Sequence, residues 1–215
     1  ADLLIKLKSF EKAERILKTA LEGLTARSDL PSLIEESKYC ELLGSLAQKR
    51  GQLADALDFL KRAGEGMDKV VKRASVENSD KIDEFKKHFA RLSMNIAEHY
   101  CDARDFPKAM ECYRDALAQD PDNVAASLAL ANLHISTGEL EECQNICSLL
   151  LQKNPQDEQA IVVLANVLFQ RSQHTEAIHH FQQLLKKRPD NFTALSTLID
   201  LLRRAGKAEE STRFL

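Results

Sequence analysis

Side chains that could do chemistry are few in this sequence, and their spacing decides what they could do. Cys143 and Cys147 stand four apart, so a helix would place both on one face, and His134 offers a third group of the kind that ligates zinc. Structural zinc sites close with four ligands, and no fourth residue completes this set. Cys40, Cys101 and Cys112 lack even a nearby companion. His174, His179 and His180 cluster but read as surface residues of a helix. There is no glycine-rich phosphate loop, no His-Glu-x-x-His and no Gly-x-Ser-x-Gly elbow. These residues predict no enzyme, no metal site and no cofactor. A second kind of chemistry is recognition: Asn132 and Asn166 lie 34 apart, and a side-chain amide donates and accepts at once, which suits the backbone of an extended peptide.

Positioning elements follow from composition and period. The 215 residues include 7 glycines and 5 prolines, with 44% hydrophobic and 29% charged, so turns are scarce and helices favoured. A net charge of -3 provides no excess of cations for a phosphate backbone and argues against a nucleic-acid partner. The 5 cysteines, an odd number, sit inside apolar periodic segments, which suits a reducing compartment. No stretch approaches 18 uncharged apolar residues and no signal peptide is visible, so no direct membrane insertion is expected.

Pro121, Pro155 and Pro189 fall 34 apart, and windows of that length from Ala90, Val124, Glu158 and Phe192 align without a gap. Position eight reads Ala97, Ala131, Ala165 and Ile199, position eleven Tyr100, His134, Leu168 and Leu202, position twenty Ala109, Cys143, Ala177 and Ser211. Position twenty-four reads Tyr113, Cys147, Phe181 and Leu215. Cys143 and Cys147 thus fill columns that Ala or an aromatic fills in sister repeats, which favours core packing over zinc. Apolar residues recur at three and four and break near position fifteen, where Gly138 and Gly206 stand, so each window predicts two helices and a turn. The prolines are expected in a helix's first turn, with Asp120 and Asn154 as caps.

A window from Ser37 fits the same columns through Leu43, Gly44, Gly51, Ala56, Leu60 and Ala63. The next starts at Ala90, which leaves extra residues in the polar stretch from Gly64 to His88. This predicts a partial repeat and connection over 1–36, a repeat with a polar helical insertion over 37–89, and three complete repeats with a truncated fourth over 90–215, all in one continuous solenoid of roughly eleven helices. Asp2 to Leu7 would be the remnant of a first helix. The chain reads as a fragment, so Leu3, Leu4 and Leu7 at one end and Leu198, Leu202, Phe214 and Leu215 at the other are expected to lack partners.

Small residues at eight and twenty, aromatics at eleven and twenty-four and Pro at thirty-two resemble the tetratricopeptide repeat, with Ala116, Leu150 or Leu184 at twenty-seven. That resemblance implies an all-α, right-handed superhelical solenoid of antiparallel helix pairs that binds proteins. The wording of Ala97 to Tyr100, Tyr113 to Pro121, Asn132 to Gly138 and Ala165 to Gln170 is similar to the large tetratricopeptide-repeat subunits of intraflagellar transport complex A. This implies a non-catalytic scaffold of retrograde ciliary transport, in the cytoplasm, cilium and ciliary base, with other subunits of a multi-subunit complex as partners and no small-molecule substrate. The alternatives are a peptide-binding receptor arm of an enzyme and a free-standing adaptor.

Groove-facing residues in such a repeat are expected at positions two, five, nine, twelve and thirteen. Position nine makes Ser45, Glu98, Asn132, Asn166 and Asp200 the candidate concave-face contacts. A Lys/Arg clamp for a C-terminal carboxylate is missing, because positions two, five and six carry Ala125, Leu128 and Ala129, then Gln159, Val162 and Val163, then Thr193, Ser196 and Thr197. The insertion supplies a second candidate surface in Lys72, Arg73, Lys86 and Lys87.

Overall fold

A computed structural model describes residues 10–24 and 29–211. The proposed first helix at Asp2 to Leu7, and Phe214 and Leu215, lie outside the described residues. Two compact units divide the chain, residues 1–123 and 124–215. Both are helix-pair solenoid structures, and every described element is an α-helix.

The first unit contains α1 (Phe10–Leu24), α2 (Leu30–Lys49), α3 (Leu53–Val76), α4 (Ile82–Asp102) and α5 (Phe106–Gln119). Chain neighbours pack on one another, most extensively α2 on α3 and α4 on α5. The pairing depends on small residues at position eight. A Cβ on Gly44 would lie 2.9 Å from Leu60 Cγ and 3.3 Å from the Ala56 carbonyl oxygen, so α2 and α3 approach closely there. Two turns farther along, Ser37 Oγ donates to the Ala63 carbonyl at 2.7 Å, and Gly66 backs onto Ser37. Ala97, Ala131 and Ala165, at the same position of later repeats, are fully buried.

The polar stretch from Gly64 to His88 is absorbed into longer helices. Helices α2, α3 and α4 have 20, 24 and 21 residues, against 13 or 14 for α5 through α10. The lengthened part of α3 buries Met67, Val70, Val71 and Ala74, an apolar stripe at helical spacing inside charged sequence.

The second unit contains α6 (Val124–Thr137), α7 (Leu140–Lys153), α8 (Glu158–Gln170), α9 (His174–Lys187), α10 (Phe192–Arg204) and the short α11 (Ala208–Ser211). Its core joins Cys143 and Cys147 to Leu164, Leu168, Phe181 and Leu198, which places both thiols among hydrocarbon. Leu198 and Leu202 were expected to lack partners and are instead fully buried, because α10 packs on α9 and α11 begins to fold over it.

Turn chemistry repeats with the period. Position fifteen has positive φ in every repeat: Gly51 at 74°, Arg104 at 61°, Gly138 at 83°, Ser172 at 62° and Gly206 at 75°. The following N–H then reaches back to the carbonyl at position eleven, as in Asp105 to Tyr100 at 2.9 Å and Gln173 to Leu168 at 2.8 Å, closing the first helix with a Schellman motif. Pro31 and Pro107 sit in the first turns of α2 and α5, but the three prolines spaced 34 apart do not open helices. Pro121, Pro155 and Pro189 lie in the turns just after Asp120, Asn154 and Arg188, whose N–H groups complete the preceding helix. Pro suits that place because it cannot continue a helix. The caps are two residues later: Asp157 accepts from Ala160 N and Asn191 from Ala194 N, each at 3.0 Å.

Candidate interaction groove

The second unit carries an open groove on one face. Between α6, α8 and the start of α10 lies a groove of about 460 Å³, lined by Leu128, Asn132, Glu158, Gln159, Val162, Val163, Asn191 and Ala194. That volume falls within the ~300–1,000 Å³ typical of ligand pockets. Leu128 and Ala194 are buried, while Val162 and Val163 are half-exposed and form an apolar floor.

Local folding explains which polar groups remain available. Asn191 caps α10 through its Oδ1, and its Nδ2 donates to Glu158 Oε2 at 2.9 Å. Glu158 Oε1 pairs with the Arg188 guanidinium. These three residues tie one repeat to the next, so their polarity is spent inside the protein. Asn132 on α6 and Gln159 on α8 are exposed, and among the described residues neither side-chain amide is engaged. The groove therefore offers two free amides above aliphatic carbon, with its lone carboxylate already neutralised.

The other candidate residues are distributed more widely. Asn166 and Asp200 are exposed on α8 and α10 and stand outside the groove lining. In the first unit, Ser45 is half-buried on α2 and Glu98 exposed on α4. Lys72 pairs with Asp68 and Arg73 with Glu77, each at 2.6 Å along α3. Lys86 is half-buried and Lys87 exposed on α4. Sequence reasoning missed the Glu158 and Asn191 link, although the period itself places these residues at adjacent ends of successive first helices.

The thiol and imidazole groups have structural roles. His134 is buried and its Nδ1 meets Glu139 Oε2 at 2.5 Å. A hydrogen bond from the neighbouring thiol holds Cys143 below the usual thiol range, and the same contact together with burial pushes Cys147 up. Among the described residues no group of His, Cys, Asp and Glu could hold a metal ion. His179 is exposed, whereas His180 is half-buried and lines a smaller pocket beside Leu184 and Arg188, contrary to a wholly surface cluster. Burial, then the neighbouring His179, lowers the His180 pKa. His174 is half-buried and its ring centroid lies 4.4 Å from that of Phe169. Among the described residues no helix is long and apolar enough to cross a membrane.

Residues 1–117 match the family described as the fourth ARM domain of tetratricopeptide repeat protein 21, residues 158–215 that of its fifth ARM repeats, and residues 86–166 a general tetratricopeptide repeat. The chain belongs to the tetratricopeptide repeat protein 21 family. It is 47% identical over 214 residues to human tetratricopeptide repeat protein 21B, and 38% identical over 214 residues to mouse tetratricopeptide repeat protein 21A. Each alignment covers 100% of this chain and 16% of the relative, so the chain spans about one sixth of their length. A tetratricopeptide repeat protein from Parabacteroides merdae shares the fold with a TM-score of 0.65 at 18% identity, over 98% of this chain and 73% of that one. The family and the open helix faces make this a protein–protein interaction module without catalytic motifs.

Proposed function

We propose that this chain is a scaffold segment of the large tetratricopeptide-repeat subunit of intraflagellar transport complex A, acting in retrograde ciliary transport. It holds neighbouring subunits of the complex at the cytoplasmic base of the cilium and within it. The carrying observation is the match to this one family across both units. The physical form supports the same role. Repeats stacked on nearest neighbours present long surfaces, and such surfaces bind by area and pattern instead of enclosing a reaction.

Two surfaces are proposed for the contacts. One is the concave set, Ser45 and Glu98 in the first unit and Asn132, Asn166 and Asp200 in the second. The other is the lengthened α3 and α4, through Lys72, Arg73, Lys86 and Lys87. Deleting residues 1–215 from the full-length protein in ciliated cells tests the assignment. Transport particles should accumulate at ciliary tips, because the return journey fails. Normal return traffic would refute it.

A further inference from the structure

The sequence around Ser75 carries a pattern that the repeat does not explain. Lys72 and Arg73 stand three and two residues before the hydroxyl and Val76 one after it, and no other serine or threonine of the sequence has Lys or Arg at both of those places. Protein kinases select substrates largely by charge pattern, and one class reads Lys or Arg three and two residues ahead of a serine, with an apolar residue just beyond it.

The fold presents this pattern at the end of a helix. Ser75 is the second-last residue of α3 and Val76 the last, and the chain turns back through Asn78, whose φ is 49°. Val76 is 80% exposed, and Lys72, Arg73 and Ser75 are exposed with it. Both cations hold only surface ion pairs, to Asp68 and Glu77, which cost little to exchange for a partner's carboxylates. A kinase takes its substrate extended, so the last turn of α3 must open. Helix ends fray readily, and between Lys72 and Val76 only Ala74, a single methyl, leaves the core. Ser93 is the contrast within the same unit: Arg91 stands two residues before it, but it lies inside α4 and is 5% exposed, out of an enzyme's reach.

We infer that Ser75 is a phosphorylation site for a serine kinase of this basic-directed class. The hydroxyl oxygen bonds to the γ-phosphorus of ATP, the bond from that phosphorus to the β–γ bridging oxygen breaks, ADP leaves, and the hydroxyl proton passes to the kinase's carboxylate base. In the unmodified chain Ser75 Oγ donates to the Val71 carbonyl at 2.9 Å. Once phosphorylated that oxygen has no proton to donate, and a charge of about -1.5 to -2 faces the carbonyl end of α3, the negative end of its dipole. The last turn of α3 therefore loosens. The site goes beyond the scaffold role and does not depend on it.

The test incubates the affinity-purified full-length protein with Mg-ATP and the catalytic subunit of cyclic-AMP-dependent protein kinase, and locates phosphate by mass-spectrometric fragmentation of the tryptic peptide that carries Ser75. Phosphate is expected on Ser75 and not on Ser79, which has Val76 and Glu77 at the corresponding places. Arg73→Ala should slow modification of Ser75 by roughly tenfold or more. A purely structural effect of that change would act the other way, because losing the Arg73 pair with Glu77 eases the opening of the helix end. Hydrogen exchange over residues 73–78 should quicken on phosphorylation. An unmodified Ser75, equal rates for wild type and Arg73→Ala, or equal modification of Ser79 would overturn the site, and exchange unchanged by the phosphate would overturn the loosening of α3. The transport role is read separately, from return traffic in cells.

Discussion

Replacing Gly44 with Ala should destabilise the first unit although Ala is the better helix former. In the interior of α2 the change alone would gain about 0.5–1 kcal/mol through the smaller entropy loss of Ala. Against that gain, the new methyl would stand 2.9 Å from Leu60 Cγ, 3.1 Å from Leu60 Cδ2 and 3.3 Å from the Ala56 carbonyl. Leu60 is 1% exposed and has no space to move into, and the carbonyl is backbone, so α2 and α3 must separate. Overpacking of this kind costs about 1–3 kcal/mol, which leaves a net loss of about 0.5–2 kcal/mol. Gly64→Ala is the matched control. Its methyl meets one atom, Ile96 Cδ1 at 3.2 Å, the free end of a side chain that can turn aside. That variant should be neutral or gain up to about 0.5 kcal/mol. Urea denaturation followed by circular dichroism gives both midpoints under one set of conditions. A Gly44→Ala protein as stable as wild type would refute the close approach of the helix pair and the register on which the repeat assignment depends.

Other consequences of the fold can be measured as directly. Arg104→Gly and Ser172→Gly should each raise stability by about 0.5–1 kcal/mol by relieving an αL residue, while Gly138→Ala should lower it by about 1 kcal/mol, all read from urea midpoints. Glu41 has its carboxyl held below the usual range, first by the His88 hydrogen bond at 2.8 Å and then by the charges of His88, Arg91 and Lys38. Its contribution is therefore complete above the unfolded value near about 4.3 and is lost as pH falls through the lower folded one. Glu41→Gln should flatten stability against pH in that acid window and leave it unchanged in shape near neutrality. Thiol labelling should separate the cysteines: Cys101 and Cys112, half-buried and with burial pushing Cys112 up to about 11, react slowly in the native state. Cys40, Cys143 and Cys147 should react only on unfolding, and native-state labelling of Cys147 would contradict its place in the core.

The period was the most legible feature of the sequence, because Pro121, Pro155 and Pro189 mark the last three repeat boundaries and Gly44, Ala97, Ala131 and Ala165 stand at one position of successive repeats. It placed the two-helix unit; of the position-nine residues in the second unit Asn132 lines the groove, while Asn166 and Asp200 stand outside its lining. Less was visible at position fifteen, where Gly138 and Gly206 announce a left-handed residue while Arg104 and Ser172 adopt the same conformation under tertiary compulsion. The prolines misled locally, since Pro is compatible both with a helix's first turn and with the turn after a C-cap, and only the backbone distinguishes them. The helical insertion was legible, but charge masked its core: Met67, Val70, Val71 and Ala74 form a buried stripe that average polarity hides. The groove's chemistry was the least legible part. Glu158 looks like a free carboxylate in sequence, and only the geometry shows that Arg188 and Asn191 occupy it.

Co-purification tests most directly whether this chain, as proposed, holds subunits of a transport complex together. The full-length protein, affinity-tagged in ciliated cells, should bring down the other subunits of complex A, with chemical cross-links from Lys72 or Lys87 reaching them. Charge reversal at Lys72, Arg73, Lys86 and Lys87 together with Asn132→Ala and Asn166→Ala should reduce that recovery by at least tenfold while melting behaviour is retained. Full recovery with no cross-link from residues 1–215 to another subunit would contradict the claim and leave this segment as a spacer.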